Sequence, residues 1–180
     1  ECLEVGNPRR RLHDLFYGTL DVHITKAPKL TPVTVKMMKD TNYIRIILQH
    51  LSYEPLDGKE YTFEITDDNT LFDHNNMLVD NGMVTYTPWD SGSITVGTGE
   101  VTDKEGNTDN TITNVKIAYA DLSISRLMTM RSPRLVVTYK LTDTKIIDIP
   151  LNNYLLALRS DYFDWCGEQE FLDRKSEWQL

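Results

Sequence analysis

The sequence predicts an all-β protein, an antiparallel β-sandwich with short helices near the C-terminus. Apolar and polar residues alternate along most of the chain, which is typical of strands with one buried face. About eight short segments of this kind occur without strand-helix alternation, which favours two packed antiparallel sheets over a parallel α/β sheet. Helical spacing of apolar residues begins only after Pro150.

The first predicted strands lie between residues 20 and 37. Their apolar members, which alternate with polar residues, are Leu20, Val22, Ile24, Val33, Val35 and Met37. The next strands are predicted at 43–51, which is rich in branched residues, and at 61–66. A short strand at 83–86 ends before Pro88, because proline cannot donate to a sheet ladder.

Residues 89–110 differ in composition, since Ser, Thr, Gly, Asp and Asn dominate. We predict one strand there, around Ile94 and Val96, within a loop or a long hairpin. Alternation resumes at 112–124.

The last alternating segments, 135–141 and 145–149, flank residues 142–144 and predict a hairpin. Two groups of residues then have spacings that predict short helices, the first at i, i+3, i+4 and i+7 and the second at i, i+1, i+4 and i+7. They are Leu151, Tyr154, Leu155, Leu158 and Phe171, Leu172, Lys175, Trp178. The tail at 162–180 carries many aromatic residues, so we expect it to pack on the sandwich and to be partly helical.

The predicted sandwich runs from about Leu20 to Ile149, and its inward side chains form the predicted core. The residues expected to be largely buried are Leu20, Val22, Ile24, Ile44, Ile46, Phe63, Ile65 and Leu135.

Length and charge limit the classes of function. The chain has 180 residues, enough for one domain, and a net charge of −8. An acidic chain argues against nucleic acid as a partner, because phosphate binding needs clustered basic residues, and against docking on anionic lipid through a basic surface. The two cysteines, Cys2 and Cys166, exclude a disulfide-rich miniprotein and a CxxC site. We expect Cys166 to be buried.

No motif in the sequence specifies a reaction. The four histidines, His13, His23, His50 and His74, have no zinc-ligand spacing, and no GxSxG sequence accompanies them. We therefore predict no catalytic, cofactor-binding or metal residues.

Two acidic segments have two interpretations. Their side chains form turns by bonding to nearby backbone, or, as the alternative, they bind calcium. The first contains Asp67, Asp68, Asn69, Asp73, Asn75 and Asn76, and the second Asp103, Glu105, Asn107 and Asp109. Gly97-Thr98-Gly99 does not complete a phosphate-binding loop.

The N-terminal residues 1–11 are polar and predict a linker or tail before a β-sandwich domain at 12–180. The run Arg9–Arg11 favours a solvated linker, with a trypsin-like processing site as the alternative. The chain begins at Glu1 without methionine, so we interpret it as a mature or trimmed segment of a longer protein.

Several short motifs, taken in order, resemble the FimB/Mfa2 family of fimbrial anchor or minor subunits from Bacteroidales-type bacteria. They are LFYG at 15–18, TNYIRIILQHLS at 41–52, FEITDDN at 63–69, DHNN at 73–76, YTPW at 86–89, SRLM at 125–128, SPRLVV at 132–137, IPLNNYLL at 149–156 and QEFLDR at 169–174.

This resemblance implies two tandem transthyretin-like β-sandwich domains, of which the chain corresponds to the second, while the first appears absent. It implies a structural or assembly subunit of a surface fimbria at the outer membrane, with no catalytic activity and no cofactor. The implied partners are fimbrial subunits joined by strand addition. Contact with the membrane would come only through a lipidated N-terminal region outside this chain.

The family usually continues beyond the LDR motif into another strand-like segment. We therefore expect that Leu180 is not the natural end and that a missing strand leaves an edge or groove open.

The alternative function is a surface adhesin that binds a glycan or a host protein. Trp89 and Tyr86, beside the Gly- and Ser-rich segment, would then supply aromatic faces for a sugar. The other interpretation of Trp89 is a core residue at a strand end.

Overall fold

A computed structural model describes residues 3–23, 26, 30, 32–97, 101–102, 108–109, 114–159 and 166–180. The strands are β1 (Leu3–Glu4), β2 (Phe16–Tyr17), β3 (Met38–Lys39), β4 (Thr41–Leu48), β5 (Tyr61–Asp67), β6 (Leu71–Phe72), β7 (Leu78–Val79), β8 (Val84–Tyr86), β9 (Asp90–Val96), β10 (Val101–Thr102), β11 (Thr108–Asp109), β12 (Val115–Ser125), β13 (Arg134–Tyr139), β14 (Thr144–Pro150) and β15 (Glu177–Gln179). The helices are a 3₁₀ turn at Gly58–Glu60, α1 (Leu151–Ala157) and α2 (Glu168–Arg174).

Two four-stranded sheets form the sandwich. One has the strand order β15-β4-β12-β9, and the other has the order β14-β13-β5-β8. Neighbouring strands are antiparallel, except that β15 runs parallel to β4. The predicted antiparallel β-sandwich is therefore confirmed, with one parallel pair at an edge.

The core lies between the two sheets and follows the alternation of the sequence. In β4 and β12, Ile44 pairs with Leu122 and Ile46 with Ala120, and all four side chains are buried. Five of the predicted core residues are confirmed with exposures of 2% or less, namely Ile44, Ile46, Phe63, Ile65 and Leu135.

The prediction of buried strands at 20–37 is wrong for the residues that the structure describes. Leu20 is 44% exposed and Val22 is 53% exposed, and neither lies in a strand. Val33, Val35 and Met37 are also exposed, and Ile24 lies outside the described residues.

The strand pairing beside residues 20–37 is short, which explains why the predicted buried strands are not found there. Of the described residues between 16 and 39, only Phe16–Tyr17 and Met38–Lys39 pair as strands, and Gly18 lies close to the Lys36 backbone next to that pair. Alternation indicates which side chains share a face, but it does not supply the second layer that would cover that face. None of the described residues provides that layer, so the apolar side chains stay exposed.

The Gly- and Ser-rich region forms one side of a long hairpin. β9 begins at Asp90, earlier than predicted, and pairs with β12 from Val96 opposite Val115 to Asp90 opposite Asp121. The short strands β10 and β11 pair with each other within the connection. The hairpin predicted at 142–144 is also present, as β13 and β14.

The C-terminal region contains two short helices and a final strand. Leu151 and Leu155 of α1 and Phe171 and Leu172 of α2 are buried, as their spacing predicts. Trp178 does not continue α2, because the backbone at Lys175 is extended, and it lies instead in β15. The two α-helices have seven residues each, and no helix among the described residues has the length and apolar character of a membrane span.

The tail packs on the sandwich where it is described. Phe171, Leu172 and Trp178 are each 3% exposed or less, and Cys166 is also buried, as predicted. A strand follows the LDR motif within this chain, since β15 pairs with β4, and the expectation that Leu180 is not the natural end stays a prediction. Tyr162, Phe163 and Trp165 lie outside the described residues.

Candidate functional site

A cleft of about 480 Å³ lies on the outer face of the β15-β4-β12-β9 sheet. We call it the arginine–aromatic cleft. Its lining comprises Arg11, Tyr43, Ile44, Arg45, Trp89, Asp121, Leu122, Glu177, Trp178 and Gln179. Side chains of successive strand residues point to opposite faces. Burial of Ile44 and Leu122 in the core therefore turns their neighbours Tyr43, Arg45 and Asp121 outward.

Arg45 and Asp121 form the floor of the cleft. They are opposite each other in the β4–β12 ladder, and Arg45 Nε and Nη2 each donate to one Asp121 carboxylate oxygen at 2.7 Å. The Arg45 guanidinium also lies 5.7 Å from the centre of the Tyr119 ring. The hydrogen bonds from Arg45 to Asp121 raise the already high pKa of Arg45, so its charge is permanent and neutralised by Asp121.

Arg11 occupies the space between two aromatic rings. Its guanidinium carbon lies 5.0 Å from the centre of the Tyr43 ring and 5.3 Å from that of Trp89. Hydrogen bonds hold the chain on both sides of Arg11. The Thr87 amide donates to the Pro8 carbonyl at 3.3 Å, and the Tyr43 hydroxyl donates to the Leu12 carbonyl at 2.8 Å.

Arg11 is exposed and has no carboxylate partner among the residues that the structure describes. The nearby acid Asp14 is paired with Lys39 at 2.9 Å, and the hydrogen bond from Lys39 lowers the pKa of Asp14. Burial raises the pKa of Tyr43, so its hydroxyl stays protonated and can donate. The cleft therefore holds a positioned guanidinium that forms no salt bridge with a described carboxylate.

The aromatic residues proposed from the sequence have different environments. Tyr86 is 0% exposed and donates its hydroxyl to Asn69 Oδ1 at 2.9 Å, so its ring cannot contact a ligand. Trp89 is 38% exposed and borders the cleft, so its interpretation as a core residue is wrong. The amide of Trp89 donates to the Asp121 carbonyl at 3.0 Å, which holds its backbone at the border of the cleft.

The acidic loop uses its oxygens for turns. Asp73 Oδ1 accepts from the amides of Asn75 and Met77, both at 2.9 Å, and Asp67 Oδ1 accepts from the Asp68 amide at 2.9 Å. These bonds favour turn chemistry over calcium binding. Of the second acidic segment and the Gly97–Gly99 stretch, most residues lie outside the described ranges.

The four histidines are exposed and scattered over the surface. Within the described ranges, no three His, Cys, Asp or Glu residues lie together as a metal would require. The sequence prediction of no metal or catalytic residues stays a prediction.

The two sheets present edge strands of unequal length. β8 and β15 have three residues each, while β9 and β14 have seven. The middle of β9 is engaged by the 3₁₀ turn, because the Gly58 amide donates to Ser93 Oγ at 2.8 Å. Among the described residues, β14 is therefore the longest edge with no such neighbour, and Ile146 on it is 48% exposed.

Sequence reasoning missed the cleft. Arg45 and Asp121 are charged residues within otherwise apolar strands, and this signal could have marked an outward pair. Their contact depends on the register of two strands 76 residues apart, which a single sequence does not specify. Nothing in the run Arg9–Arg11 distinguishes Arg11 from its neighbours.

Comparison with protein families matches residues 2–180 to the family described as fimbrillin-A associated anchor proteins Mfa1 and Mfa2. The search of curated proteins found no significant match.

Several solved structures are similar to this chain. A candidate adhesin from Bacteroides thetaiotaomicron is 47% identical with a TM-score of 0.81, and the alignment covers 97% of this chain and 55% of that one. A candidate polysaccharide-binding protein (DUF1812) from the same organism is 27% identical with a TM-score of 0.71, over 95% of this chain and 54% of that one.

The fimbrial anchor protein Mfa2 from Porphyromonas gingivalis is 13% identical with a TM-score of 0.56, which indicates a shared fold alone. The alignment covers 92% of this chain and 50% of that protein. The chain thus spans about half the length of the solved structures that it matches.

Proposed function

Since the chain belongs to the family of fimbrillin-A associated anchor proteins Mfa1 and Mfa2, we propose that it is part of a structural subunit of a bacterial surface fimbria. In this role it anchors or caps the fimbria at the outer membrane and catalyses no reaction. The chain represents one β-sandwich domain, at residues 12–180, of a longer protein attached to the membrane by a lipidated N-terminal region.

The observation that carries the proposal, beyond family membership, is the β14 edge. A partner's strand can add to an exposed sheet edge, because the unpaired amides and carbonyls form a new ladder. β14 offers seven residues, with Ile146 exposed at a register irregularity beside Val137 and Thr138.

A pull-down with the fimbrial subunits encoded beside its gene tests the proposal. The unmodified chain should retain one of these subunits, and Ile146→Asp should reduce retention at least roughly 10-fold, because a charge on the new ladder must be desolvated. Leu141→Asp is the matched control, since Leu141 is 80% exposed in the turn just before β14. Equal retention by both variants, or no retention by the unmodified chain, would contradict the proposal.

The second candidate function is a surface adhesin that binds a glycan. It is favoured by the arginine–aromatic cleft and by a similar structure described as a candidate polysaccharide-binding protein. The two functions use different surfaces, since the cleft lies on one sheet and β14 lies at the edge of the other.

A further inference from the structure

We infer that the arginine–aromatic cleft binds an acidic saccharide, with a sugar carboxylate on Arg11 and a sugar ring against Trp89. The inference rests on the second candidate function and deepens it, because it names the ligand class and the residues.

Arg11 supplies the recognition of the carboxylate. A guanidinium carries five N–H donors in a planar fork that matches the two oxygens of a carboxylate. Arg11 lies over the rings of Tyr43 and Trp89, which hold a long flexible side chain in position. Asp14 is paired with Lys39 and Asp121 with Arg45, and no described carboxylate forms a salt bridge with Arg11, so guanidinium donors remain for an incoming anion.

Trp89 and the rim supply the contacts for the sugar ring. The Trp89 side chain is 38% exposed, so part of its apolar surface is accessible to the carbon-bound hydrogens of a pyranose. Glu177 and Gln179 are exposed at the rim on β15, where their oxygens can accept hydrogen bonds from sugar hydroxyls. The volume of about 480 Å³ falls within the range of small-molecule sites, so it suits a short saccharide segment.

The surrounding charge selects a sparsely charged ligand. Asp121 and Glu177 line the same cleft as Arg11 and Arg45, and the whole chain has a net charge of −8. A nucleic acid or a heavily sulfated polymer would meet repulsion over most of its length. A saccharide segment with one uronic acid ring places a single charge at Arg11 and only hydroxyls elsewhere.

Titration calorimetry with galacturonic acid tests the inference, and its methyl ester is the matched neutral probe. The acid should bind measurably, and esterification should weaken binding at least roughly 10-fold, because the charge-assisted hydrogen bonds to Arg11 are lost. Arg11→Gln should weaken binding of the acid by a similar factor. Binding should also weaken as salt rises.

Arg134→Gln is the control variant, because Arg134 forms an exposed ion pair with Asp148 on the opposite sheet. Equal affinity of the acid and the ester, equal affinity of both variants, or no binding at millimolar acid would overturn the inference. Arg11→Gln should leave retention of the fimbrial subunit unchanged. If the acid does not bind in calorimetry but the unmodified chain still retains the fimbrial subunit, only the assignment of the cleft is overturned. If the unmodified chain does not retain the subunit, the anchor role is contradicted.

Discussion

Arg126 and Asp173 form a two-pronged ion pair that attaches α2 to the end of β12. Arg126 Nε and Nη2 donate to the two Asp173 oxygens, both at 2.7 Å. Gln169, one turn earlier in α2, donates to Asp173 Oδ1 at 3.0 Å and to the Leu127 carbonyl at 2.9 Å. The side chains are only 10% and 16% exposed, so this pair holds the C-terminal helix where water hardly competes.

Asp173→Asn should lower the free energy of unfolding by about 2 to 3 kcal/mol, because it leaves the Arg126 charge largely buried without a counter-ion. Urea denaturation at neutral pH measures the loss. Glu170→Gln is the matched control on the same helix, where the ion pair with Arg174 is about half exposed and contributes below about 0.5 kcal/mol. Equal midpoints for the two variants would contradict the role of the pair.

The sequence predicts the sandwich correctly where the alternating apolar side chains are also covered by the opposite sheet. In β4, β5 and β13 the apolar side chains face the opposite sheet, and the predicted core residues Ile44, Phe63 and Leu135 are buried. The family resemblance stated from the short motifs is also confirmed, by the family match over residues 2–180.

The failures have physical causes that a single sequence does not contain. Leu20 and Val22 alternate just as Phe63 and Ile65 do, but no described layer covers them. Trp178 has helical spacing from Phe171, but the chain extends at Lys175 and places the indole edge-on to Phe171, with ring centres 5.7 Å apart. The candidate cleft depends on strand register and on the course of residues 8–12, which local patterns do not predict.

Asp67 should make stability depend on pH. Its side chain is buried, and burial raises the pKa of its carboxyl from 3.8 to about 7. Below pH 3.8 the group is protonated in both states, so it has no effect. As pH rises from about 4 to about 7, the unfolded chain loses this proton before the folded one does, and stability falls. The full loss is about 4 kcal/mol, and it is present above pH 7.

Asp67→Asn should remove this fall, because the amide oxygen can still accept from the Asp68 amide and carries no charge. Urea denaturation between pH 4 and pH 8 measures the slope for both proteins. Asp148→Asn is the control, since Arg134 lowers the pKa of the exposed Asp148, whose stabilising contribution is therefore lost only in acid. A wild-type slope that persists in Asp67→Asn would show that another group causes it.

Tyr86→Phe should lower the free energy of unfolding by about 1 to 3 kcal/mol. The change removes only the hydroxyl, but it leaves Asn69 Oδ1 without its donor in a fully buried site. Asn69 Nδ2 also donates to the Ser125 and Arg126 carbonyls, at 3.2 and 3.0 Å, so the hydroxyl supports a bridge between the two sheets. Tyr154→Phe, at a residue 42% exposed on α1, should change the midpoint by less than about 0.5 kcal/mol. Comparable losses in both would argue against the bridge.

Gly58→Ala should be strongly destabilising, because an added methyl group at Gly58 would overlap with the carbonyl oxygen of Gly92 in β9. The neighbour is backbone of a paired strand, so it cannot rotate away, and the 3₁₀ turn or the edge of the sheet must shift. We expect a loss of about 2 to 3 kcal/mol, which lowers the melting temperature by roughly 5 to 10 °C for a chain of this size. Gly97→Ala is the control, since among the described residues no atom beyond its chain neighbours lies within 4 Å of the position of its added methyl group. Differential scanning calorimetry of both variants measures the effect. If the melting temperatures of Gly58→Ala and Gly97→Ala differ by less than about 2 °C, the 3₁₀ turn does not pack against β9 as described.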